Sequence, residues 1–352
     1  MREFVYAAQA ARIVFGAGAL SCLPREIELL GATRALVLST PEQASSAERI
    51  ARELGARAAG VFARAVMHVP IETAREARAL ARELGADCAV AIGGGSTTGL
   101  GKAIALESGL PILAIPTTYA GSEVTPIYGL TEAGLKRTGR DPRVLPKTVI
   151  YDPELTLTLP IGLTVTSGMN AIAHAAEGLY ARDGNPIMDL IAEEGIRAVA
   201  EALPQLRRNP QDLPARSLAL YGAWLCGTVL GNVGMALHHK LCHTLGGSFN
   251  LPHAEVHTVV LPHAIAYNAP AIPAALVRIG RALHSDAPAA ALYDLARTNG
   301  APYALRALGM LESDLDRAAD IAVSNPYWNP QPVERDGIRA LLQRAWEGVR
   351  PE

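Results

Sequence analysis

Six of the nine histidines in this 352-residue chain fall between His238 and His263. Imidazole changes protonation near neutral pH and binds divalent metals, so this density points to proton transfer or metal ligation. His239 and His243 are four residues apart and share one face of a helix, and His253 follows after Gly246-Gly247 and Leu251-Pro252. Upstream, Asn170 and His174 repeat that spacing in GMNAIAHAAEGLY. Two such helices can aim several rings and an amide at one spot, and three histidines with one oxygen donor suit zinc or iron. His68, His257, His263 and His284 are read instead as ordinary core or surface residues.

A second chemical signal lies at Ala89 to Lys102, AVAIGGGSTTGLGK. A buried strand runs at once into three glycines and three hydroxyl residues before a helix, which offers free backbone N–H groups and close approach to a phosphate. It is neither a Walker A loop nor the dinucleotide GxGxxG. Gly16-Ala17-Gly18 lacks the third glycine of that fingerprint and is read as a turn. The next strand ends in Pro116-Thr117-Thr118-Tyr119, and hydroxyls at the carboxyl end of a parallel strand face the crevice where open α/β sheets bind ligands.

The elements that must hold these residues change character along the chain. Arg12 to Phe15, Ala35 to Ser39, Cys88 to Ile92, Ile112 to Ile115 and Thr148 to Tyr151 are short apolar runs bounded by turn residues, and they predict strands. Ser46 to Leu54 and Glu72 to Leu84 between them are helical in composition, so a parallel sheet covered on both faces is expected. After Pro153 the long stretches Ile187 to Leu206, Arg216 to Leu245, Ala274 to Leu283 and Asp336 to Val349 predict an all-α part. The expected domains are an α/β Rossmann-like domain, residues 1–155, and a helical domain, residues 156–352, carrying the histidines. Ser217 to Leu237 is uncharged and long enough to span a bilayer, but its glycines and Asn232 favour a buried helix.

Lys and Arg number 32 against 34 Asp and Glu, a net charge of -2, with no basic run. Nucleic acid and anionic membrane are therefore not expected as partners. Charges interrupt the apolar stretch of MREFVYAAQAARIVF, unlike a signal peptide, and Cys22, Cys88, Cys226 and Cys242 show no CxxC pairing. A cytoplasmic protein is expected.

In this order, the GGGS turn, PTTYAGSEVT, YDPELTLTLP, GMNAIAHAAEG and HHKLCHTLGGSFNLPHAEVHTVVLPH resemble the iron-type (group III) alcohol dehydrogenase superfamily, from about Ile13 to Pro262. Within it, GGGSTTGLGKAIAL and PTTYAGSEVTPIYGLTE resemble the maleylacetate reductase branch. The resemblance implies the dehydroquinate synthase-like arrangement of a Rossmann-like domain and a helical domain with an active cleft between them. It places Gly94, Gly95 and Ser96 on the pyrophosphate, Thr117 and Thr118 on the nucleotide, and Leu155 near the nicotinamide. The metal ligands of metal-dependent relatives fall on Asn170, His174, His239 and His253; there Asn170 replaces an Asp, and Gly99 replaces the Asp of GGGSPxD.

The implied reaction is NADH- or NADPH-dependent reduction of the conjugated C=C of maleylacetate to 3-oxoadipate, in aromatic and chloroaromatic breakdown, with no metal required. His243, with His253 or His174, and with His239 in the same group, is expected to supply hydrogen bonds and the proton. Tyr119, Asn170 and Lys240 are expected at the dicarboxylate substrate, with Lys136, Arg137 and Lys147 as further cations near it. Absence of a carboxylate at Thr40-Pro41 leaves the 2′-phosphate of NADPH unrepelled, and a homodimer is expected. The alternatives are a metal-dependent alcohol or polyol dehydrogenase of the same superfamily, a lyase of the dehydroquinate synthase type, and a non-enzymatic nucleotide-binding scaffold.

Overall fold

In the computed structural model, which describes residues 4–8, 11–132 and 135–352, the apolar runs of the first part form a sheet and the Ala- and Leu-rich remainder forms helices. Two compact units result: Ala8–Leu159, and Pro160–Glu352 together with residues 4–7.

The first unit follows the order β1 (Arg12–Phe15), α1 (Leu23–Leu29), β2 (Ala35–Leu38), α2 (Ala44–Leu54), β3 (Ala58–Phe62), α3 (Ile71–Glu83), β4 (Cys88–Gly93), α4 (Gly95–Ser108), β5 (Ile112–Pro116), β6 (Ile127–Glu132), β7 (Leu135–Arg140) and β8 (Thr148–Tyr151). The sheet is parallel throughout, in the order β1-β8-β5-β4-β2-β3. Its inner strands are buried on both faces, and alternate residues divide between two cores. Val37, Val90, Ile92 and Leu113 pack with Ile27 and Ile50, while Leu36, Leu38, Ala89 and Ala91 pack with Ala74 and Ile104.

All five expected strands are present. β3 was not foreseen, because AAGVF is short and weakened by a glycine. The antiparallel pair β6 and β7 was not foreseen either, since neither IYGLTE nor LKRTGR alternates cleanly. Arg137 therefore lies on a strand rather than in a loop, exposed and 3.8 Å from Glu132. Lys147 is also exposed, and the Lys136 side chain lies outside the described residues.

The second unit contains, among the described residues, nine α-helices: α5 (Ile161–Gly178), α6 (Pro186–Arg208), α7 (Leu213–Asn232), α8 (Leu237–Phe249), α9 (His253–Asn268), α10 (Pro273–Leu283), α11 (Pro288–Thr298), α12 (Leu315–Ser324) and α13 (Arg335–Glu347). Asn185 caps α6 by accepting from Ile187 and Met188 N–H, with Pro186 at the first helical position, and Asp212 caps α7 through Ala215 N–H. The expected continuous helix Arg216 to Leu245 is instead two helices bent by 96°. At the break, Asp183 accepts the Gly234 N–H at 2.8 Å and Glu177 accepts the Ala236 N–H at 2.9 Å, so side chains take donors that a helix would need. No single helix among the described residues is long and apolar enough to cross a membrane.

All four cysteines are free thiols; Cys88, Cys226 and Cys242 are buried and Cys22 is half-buried. Burial pushes the Cys88 thiol up to about 12 and raises Cys226 and Cys242 as well.

Helices α6 and α7 approach backbone to backbone at Gly222, where an added Cβ would lie 2.7 Å from Val199 Cγ2, 2.9 Å from Val199 N and 3.0 Å from Gly195 O. Replacement Gly222→Ala is expected to destabilise the helical unit by about 1–3 kcal/mol, read as a lowered urea midpoint in far-UV dichroism.

Candidate active site

Strand order locates a candidate nucleotide site in the first unit. After β2 the chain turns outward to β3, and after β4 it turns the other way to β5, so the carboxyl ends of β2 and β4 flank a topological switch point. The glycine turn sits there. Gly93, at φ 147, ends β4, and Gly94 precedes α4 with no side chain capping the helix, which leaves its first N–H groups directed at the crevice. A Cβ on Gly94 would lie 3.0 Å from Thr118 Oγ1, and one on Gly93 would lie 2.5 Å from Thr97 Oγ1 and 2.8 Å from Gln43 Oε1. Both positions therefore need glycine for space.

Thr117 N–H donates to the Gly93 carbonyl at 3.0 Å, and its hydroxyl accepts from Gln43 Nε2 at 2.9 Å. Gly94, Gly95, Ser96, Thr117 and Thr118 thus form one surface, and Gln43, which the sequence did not single out, completes it from the turn after β2. Leu155 lies in a short turn capped by Asp152 and packs against one core of the sheet. Tyr119 is fully buried.

A separate cluster of candidate residues lies in the helical unit, around a carboxylate. Glu177, on α5 and fully buried, accepts N–H bonds from Ala236 at 2.9 Å, His238 at 2.7 Å and His239 at 3.4 Å, and meets His239 Nδ1 at 2.6 Å. It caps α8 from another helix. Burial pushes its pKa up, while His238 and the three backbone donors oppose that shift.

A carboxylate only accepts, so Nδ1 of His239 carries the proton and Nε2 accepts from His174 Nδ1 at 2.9 Å. His174 Nε2 then accepts from the Asn170 amide at 3.2 Å. The result is a one-way chain from Asn170 through His174 and His239 to Glu177, with both rings neutral. Burial holds His239 down to about 3 and His238 to about 4.

Of the expected histidines, His174 and His239 meet directly. His253, at the start of α9, joins them through His257, whose ring is 4.3 Å from His253, 4.8 Å from His238 and 4.9 Å from His239. His257 had been read as an ordinary core residue; it is fully buried at the centre of the cluster, and neither ring nitrogen has a hydrogen-bond partner among the described residues. His243 stands one turn beyond His239, 6.1 Å ring to ring, and its Nδ1 meets the Tyr327 hydroxyl at 3.0 Å. Lys240, half-buried, lies 5.8 Å over the same tyrosine ring, and burial lowers its pKa. Glu177, His238, His257 and Tyr327 were not foreseen. The third residue after His174, on the same face of α5, was the available signal for Glu177.

Known proteins match this chain over its full length. Residues 10–153 match the family described as iron-containing alcohol dehydrogenase, and residues 164–346 match the C-terminal part of the Fe-containing alcohol dehydrogenase family. Maleylacetate reductase of Burkholderia cepacia is 68% identical over 351 residues, covering 100% of both chains, and that of Rhizobium sp. (strain MTP-10005) is 60% identical with the same coverage. The crystal structure of maleylacetate reductase from Agrobacterium tumefaciens superposes with a TM-score of 0.97 at 58% identity, covering 100% of each chain. The chain belongs to the iron-containing alcohol dehydrogenase family, in its maleylacetate reductase branch.

Proposed function

We propose that this enzyme reduces the conjugated C=C bond of maleylacetate to give 3-oxoadipate, with NADH or NADPH as hydride donor, in the breakdown of aromatic and chloroaromatic compounds. The observation that carries this reading is the amide at position 170, built into a neutral, proton-ordered histidine chain. Hydride from the nicotinamide adds to the carbon β to the ketone, and the C=C electron pair moves to the ketone oxygen as an enolate. The enolate then takes a proton at its α-carbon, so the net addition is one hydride and one proton. A conjugated ketone is its own electron sink, and its enolate needs only positioned donors.

His243, held by Tyr327, delivers the proton, and His253 hydrogen-bonds the enolate oxygen. His174 and His239 order the group, because their ring nitrogens are tied to Asn170, to each other and to Glu177. Lys240 and Asn170 bind the dicarboxylate, whereas the expected Tyr119 is fully buried and offers it no surface. Gly94, Gly95 and Ser96 take the pyrophosphate, Thr117 and Thr118 the nucleotide, and Leu155 lies against the nicotinamide. The turn after β2 holds no carboxylate before Glu42, which is bound to Thr40, so both cofactors are used.

The family's metal does not fit this donor set. At the positions of its ligands stand a neutral amide and three histidines, so the ion loses its only anionic ligand. In addition, the His174 and His239 lone pairs are already taken by N–H donors. We therefore assign no metal to the reaction. The reading includes a homodimer in a reducing cytoplasm, which the four free cysteines suit.

Oxidation of NADH and NADPH, followed by absorbance, is expected with maleylacetate and not with simple aldehydes; the reverse preference would make the enzyme an alcohol dehydrogenase. Replacement His243→Asn is expected to lower kcat about 10²- to 10⁴-fold while leaving NADH binding unchanged. Wild-type enzyme is expected to hold no stoichiometric zinc or iron by elemental analysis and to survive chelators, whereas Asn170→Asp acquires metal. Loss of wild-type activity to a chelator, restored by zinc or iron, overturns the metal-free assignment.

A further inference from the structure

Lys102 is a fully buried cation of the nucleotide unit that the chemistry above does not use. It lies on α4, two turns after Gly95, and is 1% exposed. Its Nζ donates to Ser122 O at 2.7 Å, Thr125 O at 2.9 Å, Thr125 Oγ1 at 2.9 Å and Ile127 O at 2.7 Å. All four oxygens come from the segment that leaves β5, passes through Thr117, Thr118 and Tyr119, and enters β6. Three carbonyls and a hydroxyl surround one nitrogen, and an acceptor-only shell of this kind fits the ammonium form, whose three N–H groups are shared among the four oxygens.

The same segment is pinned from the sheet side. Its short turn Ser122–Val124 carries Glu123, fully buried, which accepts from the Tyr151 hydroxyl of β8 at 2.8 Å. Burial pulls the Lys102 pKa down to about 7, and the Glu123 carboxylate opposes that shift. A buried charge is costly to keep, so an ammonium held this way marks a geometry that weaker contacts would not maintain.

We propose that Lys102 is a positioning residue for the cofactor: it ties the helix that opens on the Gly94-Gly95-Ser96 cradle to the segment bearing Thr117 and Thr118. The two halves of the nucleotide surface are thereby set at one spacing. The space between Gly94 and Thr118 is narrow enough that a Cβ on Gly94 would lie 3.0 Å from Thr118 Oγ1, so a shift of either segment by part of an ångström changes the place where phosphate and ribose must fit. This rests on the nicotinamide dinucleotide being the cofactor.

NADH binding to the full-length enzyme, measured by nicotinamide fluorescence without substrate, keeps the two ideas apart. If wild-type enzyme binds no NADH, the functional reading itself fails. If it binds, Lys102→Met is expected to weaken NADH about tenfold or more, with a raised KM for NADH and a KM for maleylacetate changed less than about twofold. Thr125→Val, isosteric and lacking one acceptor, is expected to weaken NADH about two- to fivefold in a protein folded by far-UV dichroism, and it decides the matter if Lys102→Met does not fold. Unchanged NADH affinity in a folded Lys102→Met or in Thr125→Val overturns the proposal, as does an equal loss of affinity for both substrates.

Discussion

A carboxylate enclosed on all sides has to find donors, and Glu177 finds them at the first turn of α8. The unpaired N–H groups and positive end of a helix are a favourable place for an anion, and here the anion comes from a neighbouring helix rather than from the residue before α8. That single cap determines where α8 begins. It therefore determines the direction of His238, His239, Lys240 and His243, all within the first two turns. It also fixes the His239 tautomer, and through it the His174 tautomer and the orientation of the Asn170 amide, so one group sets both the positions and the protons of the array.

The two units use the same device with opposite sign. In the helical unit an anion gathers N–H donors and orders histidines. In the nucleotide unit a cation, Lys102, gathers oxygens and orders a strand-to-strand connection. Each charge is buried because its partners are numerous and well directed. Isolated surface ion pairs, such as Arg49 with Glu53, have no comparable leverage, since solvent competes for both members.

Much of this was readable in advance. Strands such as ALVL and TVIY are unbroken apolar runs between turn residues, and their burial on both faces leaves few other conformations open. The glycine turn was legible because close backbone approach admits no other residue, and the i,i+4 spacing of Asn170 and His174 was legible because it survives any packing. What was missed depends on residues distant in sequence. The break at residues 233–236 follows from Asp183 and Glu177 capturing N–H groups, which no local propensity encodes. Glu177 reads as one more acidic helix residue until α8 is laid against it. His257 looks like a solitary core histidine because its neighbours come from α5 and α8 as well as from its own helix. Gln43 sits in a polar turn and gains meaning only from the strand order that brings β2 beside β4.

The burial of the cysteines has a consequence for an enzyme of this chemistry. An enone that accepts hydride at its β-carbon accepts sulfur there equally well, so the substrate is itself an alkylating agent for thiolates. Thiolate, and not thiol, is the reactive species. At Cys88, Cys226 and Cys242 burial both blocks approach and holds the proton on sulfur, and Cys242 lies beside His238, 3.4 Å from its Nε2, without being ionised by it. Burial thus keeps three of the four thiols from presenting a thiolate to such a molecule, with Cys22 the one thiol left within partial reach of solvent.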